Sequence, residues 1–325
     1  MPETAFDPGQ IVRGCRLAPF TTLRAGGKAE SLLVVRDADQ LAAAAEYAQS
    51  EGIPMTTLGG GSNVLPSDAG VPGLTVLNLA RRIQVSEDGA VEVDCGAPLQ
   101  DLFLKTVQRG LAGFSFAVGI PGSVGGALVS NAGAYRANIS DRLTGLEVVE
   151  SGLRRWVSPA FMEFSYRDSR LRRPGSSDVC LVRARFQLEM GDAKALYDQA
   201  RDYQRQRIGK QPPQASAGSF FKNVNDKAFA EGLDGLPPAL KEAGVVPAGH
   251  LVEKVGLKGF RWRGASVGLR HANFILNSGG ATAGDIRRLA EHVAASVYER
   301  FGVRLEEEVL YLGDWSGWQT TGLLA

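Results

Sequence analysis

The sequence predicts an α+β fold with more than one domain, and three observations carry that reading. Strand-like and helix-like segments alternate irregularly through the first two thirds of the chain. A Pro/Gly/Ser/Gln-rich run, GKQPPQASAG at 209–218, interrupts them and marks the best domain boundary. The chain has 325 residues, more than one core usually serves.

In order along the chain, SLLVV at 31–35 reads as a strand. A helix follows over 37–52, with Asp37 as N-cap and Gly52 as its stop. MTTL at 55–58 and LTVLNL at 74–79 are further strands, and 81–96 reads as a hairpin turning at Asp88-Gly89. Pro98 opens a helix that Gly110 stops. LEVVESGLRRWVS and VCLVRARFQLEM read as two strand pairs, followed by a polar helix over 193–208. Past the boundary come SFFKNV, a helix near His250–Val255 and the strand NFILN. The long helix starting at Thr282 has Asp285 as its capping-box partner. Its apolar stripe, Ile286, Leu289, Ala290, Val293, Val297 and Phe301, is packing. VRLEEEVLYLG closes the fold as a strand.

Composition narrows the function. Lys plus Arg total 36 against 35 Asp plus Glu, so the net charge of +1 leaves no basic footprint for nucleic acid or an anionic membrane. The opening residues, MPETAFDPGQIVRG, lack the basic end and apolar run of a signal peptide, and no stretch has the length of a membrane helix. Cys15, Cys95 and Cys180 are widely spaced, which fits a reducing cytoplasm and packing roles. With three Cys and three His, no metal site is expected.

Two glycine tracts stand out, LGGGSNVL at 58–65 and VGIPGSVGGALVSNAGAY at 118–135. Glycine permits close backbone approach, so successive N–H groups can converge on phosphate oxygens. Neither tract is a Walker A loop or a Rossmann fingerprint. Each alone reads equally well as a turn, but two tracts after strands favour a nucleotide with a pyrophosphate. A single Arg in FSYRDSRLRR reads first as a solvated charge, and the Ser of AGSFFKN as a turn hydroxyl. On the closing strand, alternation puts Leu305, Glu307 and Val309 on one face and Glu306 and Glu308 on the other, without deciding which carboxylate meets a site.

FTTLRAGGKAE, LGGGSNVL, VGIPGSVGGALVSNAGAY, YRDSRL, AGSFFKN and RLEEEV occur in the order seen in the UDP-N-acetylenolpyruvoylglucosamine reductases. The chain resembles that family from about Phe20 to Leu312. The resemblance implies a vanillyl-alcohol-oxidase/PCMH-type FAD-binding domain over 19–206, after a leader at 1–18. A smaller α+β substrate-binding domain, with the closing strand, takes up 207–325. It implies noncovalent FAD, cradled by Gly59, Gly60, Gly61, Ser62 and Asn63 of the first tract. From the second tract it implies Gly119, Ile120, Pro121, Gly122, Ser123, Gly125, Gly126, Ala127, Asn131, Gly133 and Ala134. NADPH is the implied co-substrate, and a UDP-sugar enolpyruvyl ether of peptidoglycan synthesis the implied substrate.

The same resemblance assigns Arg167 to the substrate carboxylate, Ser219 as proton donor and Glu308 as its partner. It brings in Tyr166, Lys222, Asn223 and His271 as substrate contacts. The Arg167–Ser219 interval leaves no room for the tyrosine-bearing loop of some members, so the chain resembles the second, loop-less subtype. A cytoplasmic monomer without nucleic-acid or membrane partners is expected.

Two other readings compete. GASVG at 264–268 matches Gly-x-Ser-x-Gly, but a nucleophile elbow needs a strand before Ser266 and a helix after it. Here RWRG precedes and a strand follows, and the available histidine, His292, lies on the packing helix. A flavin-binding module without activity, or a flavin oxidase, would keep the glycine tracts but have no use for Arg167, Ser219 and Glu308 together.

Overall fold

The computed structural model describes residues 7–173 and 178–320, so the first six residues of the expected leader lie outside it. The chain forms two compact units. One comprises the stretch up to Arg16, Lys28–Gly61 and Gly70–Gly209. The other comprises Leu17–Gly27, Ser62–Ala69 and the chain from Lys210 onward. The second unit is therefore not contiguous in sequence, because two short early segments are part of it.

The first unit is built on two sheets. A four-stranded sheet takes Val12–Arg16, Lys28–Val35, Val71–Asn78 and Met55–Leu58 in that spatial order, the last three parallel. Helix α1 (Ala38–Ser50) packs on it, its first turn capped by Asp37, which accepts from the Gln40 N–H at 2.8 Å. Such a cap contributes about 1 kcal/mol. The alanines of α1 allow a close fit. Ala38, Ala42, Ala44, Ala45 and Ala48 are buried with Leu33, Val35 and Val76 of one sheet and Val149, Cys180 and Val182 of the other.

That other sheet is antiparallel and five-stranded, in the order Leu153–Val157, Leu143–Glu150, Val179–Gln187, Ala90–Asp94 and Ile83–Val85. The hairpin at Gly89 has φ +83° there, as the Asp-Gly pair predicts. Beneath the sheet lie α2 (Leu99–Val107) and α3 (Val124–Val129). One expectation is corrected. VCLVRARFQLEM is not a strand pair: Val179–Gln187 is a single strand between two others, and Glu189–Met190 pairs with Leu111–Ala112. Its run of apolar residues reflects burial inside a sheet, not a hairpin. The polar helix α4 (Ala193–Lys210) ends at the boundary run.

The second unit has a four-stranded sheet, Ala215–Ser219, Phe274–Asn277, Ala265–Val267 and Arg261–Trp262, with small helices α5 (Lys227–Gly232), α6 (Pro238–Ala243) and α7 (Ala248–Lys254). Helix α8 (Ala283–Phe301) buries Ile286, Leu289, Ala290, Val293 and Val297, the expected stripe. Its N-terminus carries the capping box of Thr282 and Asp285, and the Asp68 carboxylate accepts from the Ala283 and Gly284 N–H groups at 3.0 and 2.8 Å. An acid there also opposes the helix dipole. The expected closing strand is shorter than predicted, with only Leu310–Leu312 regular, parallel to Val64–Pro66. Ahead of it, Leu305 and Val309 are nonetheless buried as alternation requires.

Candidate active site

In the first unit the two glycine tracts touch backbone to backbone. A Cβ on Gly60 would lie 2.8 Å from Gly122 Cα, and one on Gly59 would overlap the Ser123 side chain. Only glycine lets these loops come together. Ser123 accepts from the Gly126 N–H at 3.2 Å and so starts α3. The neighbouring glycines differ. A Cβ on Gly125 would sit 3.0 Å from both Cβ and O of Cys95, whereas one on Gly126 meets only Ser123 Oγ, at 3.5 Å. Gly126 therefore borders open space, and Gly125 packs against the wall.

The YRDSRL motif is tied to the second tract. Ser165 and Asp168 exchange backbone hydrogen bonds of 3.1 and 3.3 Å, a tight turn with Arg167 near its tip at φ +53°. Arg167 donates to Asn131 O at 3.3 Å and to Gly133 O. Asn131 Nδ2 donates to Ser165 O at 2.9 Å, and the buried Ser169 hydroxyl donates to Val129 O at 2.7 Å. Arg167 is thus a positioned fork, not a solvated surface charge, and Tyr166 lies beside its guanidinium, 5.2 Å from ring centre. Asn131, Tyr135 and Arg136 also have positive φ, an unusual concentration of strained backbone near one side chain.

Asn131 is among the residues expected at the cofactor, whereas Arg207 was missed from the sequence. Asn131 is 5% exposed, and its Oδ1 has no hydrogen-bond partner. Arg207 of α4 has a buried Nε without a partner, next to Tyr135 and Arg167, and burial lowers its pKa. Tyr135 stacks on Tyr203, centroids 3.6 Å apart. No local signal marked Arg207, since RDYQRQR reads as the solvated face of a polar helix. The glycine contact that only a side-chain-free backbone allows, and the unsatisfied Asn131 Oδ1, both fit a dinucleotide cofactor at the tracts.

In the second unit Ser219 follows a β-bulge. Pairing with Phe274–Asn277 slips by one residue between Ser216 and Ser219, and Gly218 takes φ +79°. Bulges of this kind re-aim the next side chain. Phe220 and Phe221 are then buried, and Asn273 holds them. Its carbonyl accepts from Phe220 N–H at 2.7 Å, its Oδ1 from Phe221 N–H at 3.0 Å, and its Nδ2 donates to Phe221 O at 2.8 Å. The chain then pairs with the acidic segment. Glu308 N–H donates to Phe220 O and Lys222 N–H to Glu306 O, both at 2.8 Å, around an antiparallel bridge between Phe221 and Glu307. SFFKN and RLEEEV, far apart in sequence, are neighbours on one ladder.

The three acids separate by environment. Glu306 is exposed and paired with Lys222 Nζ at 2.5 Å. Glu307 accepts from Tyr311 OH at 2.7 Å, and burial raises its pKa. It belongs to a packed group in which Arg287 lies 4.6 Å from the rings of Tyr311 and Trp315. Glu308 is also partly buried, and its N–H bonds to the residue after Ser219. Asn223 Oδ1 accepts from Ala248 N–H at 3.2 Å, which helps to start α7. His271 Nδ1 accepts from Asn273 N–H at 3.3 Å, and burial pulls its pKa below 6.5.

The serine of GASVG lies within the strand Ala265–Val267, buried and 2.6 Å from the Ser278 hydroxyl. His292 instead lies against Phe260. There is no strand-to-helix elbow, so Ser266 is a packing residue. Cys95 and Cys180 are buried, the latter's thiol pushed up to about 12, which makes both inert. Among the described residues, no cluster of His, Cys, Asp or Glu could hold a metal, and no helix is long and apolar enough to cross a membrane.

Comparison with known proteins agrees with this arrangement. A family model for an FAD binding domain matches residues 29–152, and one for the C-terminal domain of UDP-N-acetylenolpyruvoylglucosamine reductase matches 211–312. The UDP-N-acetylenolpyruvoylglucosamine reductase of Synechococcus sp. (strain JA-3-3Ab) is 39% identical over 309 residues, covering 94% of this chain and 92% of its own. That of Caldicellulosiruptor saccharolyticus is 36% identical, covering 92% and 90%. The crystal structure of the Thermus caldophilus enzyme superposes with a TM-score of 0.72 at 31% identity, over 93% of this chain and 98% of that one. The chain belongs to the UDP-N-acetylenolpyruvoylglucosamine reductase family.

Proposed function

We propose that the chain reduces the enolpyruvyl ether of UDP-N-acetylglucosamine to UDP-N-acetylmuramate for peptidoglycan synthesis, using noncovalent FAD and NADPH. The observation that supports this reading is the backbone ladder of the Ser219 segment with Glu306–Glu308, which brings the Glu308 main chain within one residue of Ser219. Bound FAD supplies the hydride, taken from NADPH and passed to the terminal carbon of the enolpyruvyl group.

The chain's own residues do the rest. Residues 59–62, 119–123, 125–127, 131, 133 and 134 hold the cofactor, with Asn131 Oδ1 offered as an acceptor. Arg167 binds the substrate carboxylate, where negative charge develops as hydride arrives. Its bonds to Asn131 O and Gly133 O fix the plane of the fork in advance, so little reorganisation is needed. Ser219 gives its proton to the carbon bearing the ether oxygen and carboxylate, and Glu308 orients the hydroxyl and returns a proton to it. The substrate gains one hydride and one proton, and its ether bond stays intact.

Tyr166 and His271 are assigned to the substrate, His271 in its neutral form at pH 7. Asn223 keeps its Nδ2 for the substrate, and Lys222 the N–H groups not spent on Glu306. A monomer in the cytoplasm is taken as the working state, and the balanced charge supports the absence of nucleic-acid or membrane-surface partners. The test is direct. Purified protein should be yellow, release FAD on denaturation, and convert the UDP-sugar enolpyruvyl ether to the lactyl ether with NADPH, followed by mass spectrometry. Colourless protein that cannot be reconstituted with FAD would contradict the proposal.

A further inference from the structure

Asn63 ends the first glycine tract, where its neighbours suggest cofactor binding, yet the structure also places it on the acidic segment. Its Nδ2 donates to Glu308 O at 3.0 Å, and its carbonyl accepts from Leu310 N–H at 3.0 Å. The next residues, Val64–Pro66, run parallel to Leu310–Leu312. On its other side, Glu308 donates its N–H to Phe220 O, one residue beyond Ser219. The Glu308 peptide is thus gripped twice, its N–H by the Ser219 segment and its C=O by a side-chain amide. Residues 308 and 309 lie outside any regular strand, so the Glu308 carbonyl meets this amide at a place where a ladder would offer a backbone N–H.

We infer that Asn63 is a positioning residue for Glu308: its amide sets the peptide plane that carries the carboxylate, and it acts on proton delivery rather than on flavin retention. The inference rests on Glu308 having the catalytic role proposed above. The chemistry calls for asparagine. Alanine removes the donor, and aspartate turns a lone pair toward the Glu308 carbonyl, whereas the Leu310–Asn63 backbone bond survives either change and keeps the strands paired.

The experiment uses the full-length, FAD-loaded protein and four variants: Asn63→Ala, Asn63→Asp, Glu308→Gln and the double variant Asn63→Ala/Glu308→Gln. FAD content and flavin reduction by NADPH should match wild type in Asn63→Ala and Asn63→Asp. Flavin reoxidation by the enolpyruvyl substrate should slow roughly 10- to 100-fold in both, the scale of a small misplacement of a catalytic group, and in kcat rather than KM. The double variant should reoxidise no more slowly than Glu308→Gln, because the amide has nothing left to position. Multiplying effects in the double variant, normal reoxidation in Asn63→Ala, or loss of FAD would each overturn the inference. A wild-type rate in Glu308→Gln would instead overturn the Glu308 assignment, and this inference with it.

Discussion

The loop carrying Arg167 and the strand carrying Ser219 are held in opposite ways. Arg167 sits on left-handed backbone, fixed by side chains that bond to the carbonyls of a glycine tract. Ser219 sits beside a ladder of backbone bonds, to Phe274–Asn277 on one side and, through Phe220 and Lys222, to the acidic segment on the other. The first arrangement depends mainly on side chains, and the second mainly on main-chain bonds, with the Asn273 and Asn63 amides as its side-chain struts. Substitutions in the first region should therefore disturb geometry as well as chemistry. In the second, substitutions other than at those two amides should remove chemistry alone.

The largest expected effect separates two adjacent glycines. Gly126→Ala should fold normally and lose FAD on desalting, because its methyl enters space that the protein leaves open. Gly125→Ala presses on Cys95 and should cost about 1–3 kcal/mol of stability, read from denaturant midpoints. Full flavin occupancy in Gly126→Ala would remove this part of the tract from the cofactor site. Next comes Arg167→Lys. An ammonium cannot bridge two carbonyls and still offer a fork, so substrate-driven flavin reoxidation should fall roughly 10²–10³-fold, as when one anion-stabilising donor is removed. Flavin reduction by NADPH should persist. Near wild-type turnover would return Arg167 to a structural role.

The smallest effect is on pH dependence in the ladder region. Burial lowers the folded-state pKa of His271 below its ordinary 6.5. The unfolded chain therefore binds the proton more readily, so this group's stabilisation is complete above 6.5 and is lost as pH falls below it. His271→Gln should lose less stability than wild type between about pH 7.5 and pH 5.5. Equal losses in chemical denaturation at the two pH values would show that His271 is not the responsible group.

Local signals were legible where one stretch of sequence decides the structure. Asp37, the Asp88-Gly89 turn and the Thr282/Asp285 box act over a few residues, and the stripe of α8 packs as its period requires. Alternation in RLEEEV put Leu305 and Val309 on one face, and both are buried, although a regular strand forms only from Leu310. What the sequence hid depends on distant partners. Asn273 is one polar residue before an apolar strand, and its role as a strut appears only once Phe220 and Phe221 lie against it. Arg207 sits on a helix most of whose other charges are exposed, so periodicity could not single it out. The short helices α5 and α6 have too few residues for a hydrophobic period, and α6 is defined by its Pro start and by Gly244 at φ +67°.

The account turns on Ser219 as the proton donor, and its most direct test follows the flavin of Ser219→Ala by stopped-flow absorbance. The ladder around Phe220 and Lys222 is backbone, so the variant should fold, keep FAD and be reduced by NADPH as wild type is. Reoxidation by the enolpyruvyl substrate should then slow by at least the ~10²–10⁴-fold expected for loss of a general acid, with Ser219→Cys recovering part of the rate. Rapid substrate-driven reoxidation in Ser219→Ala would contradict the proton-donor role, and a failure of NADPH to reduce the flavin would place Ser219 with the cofactor instead.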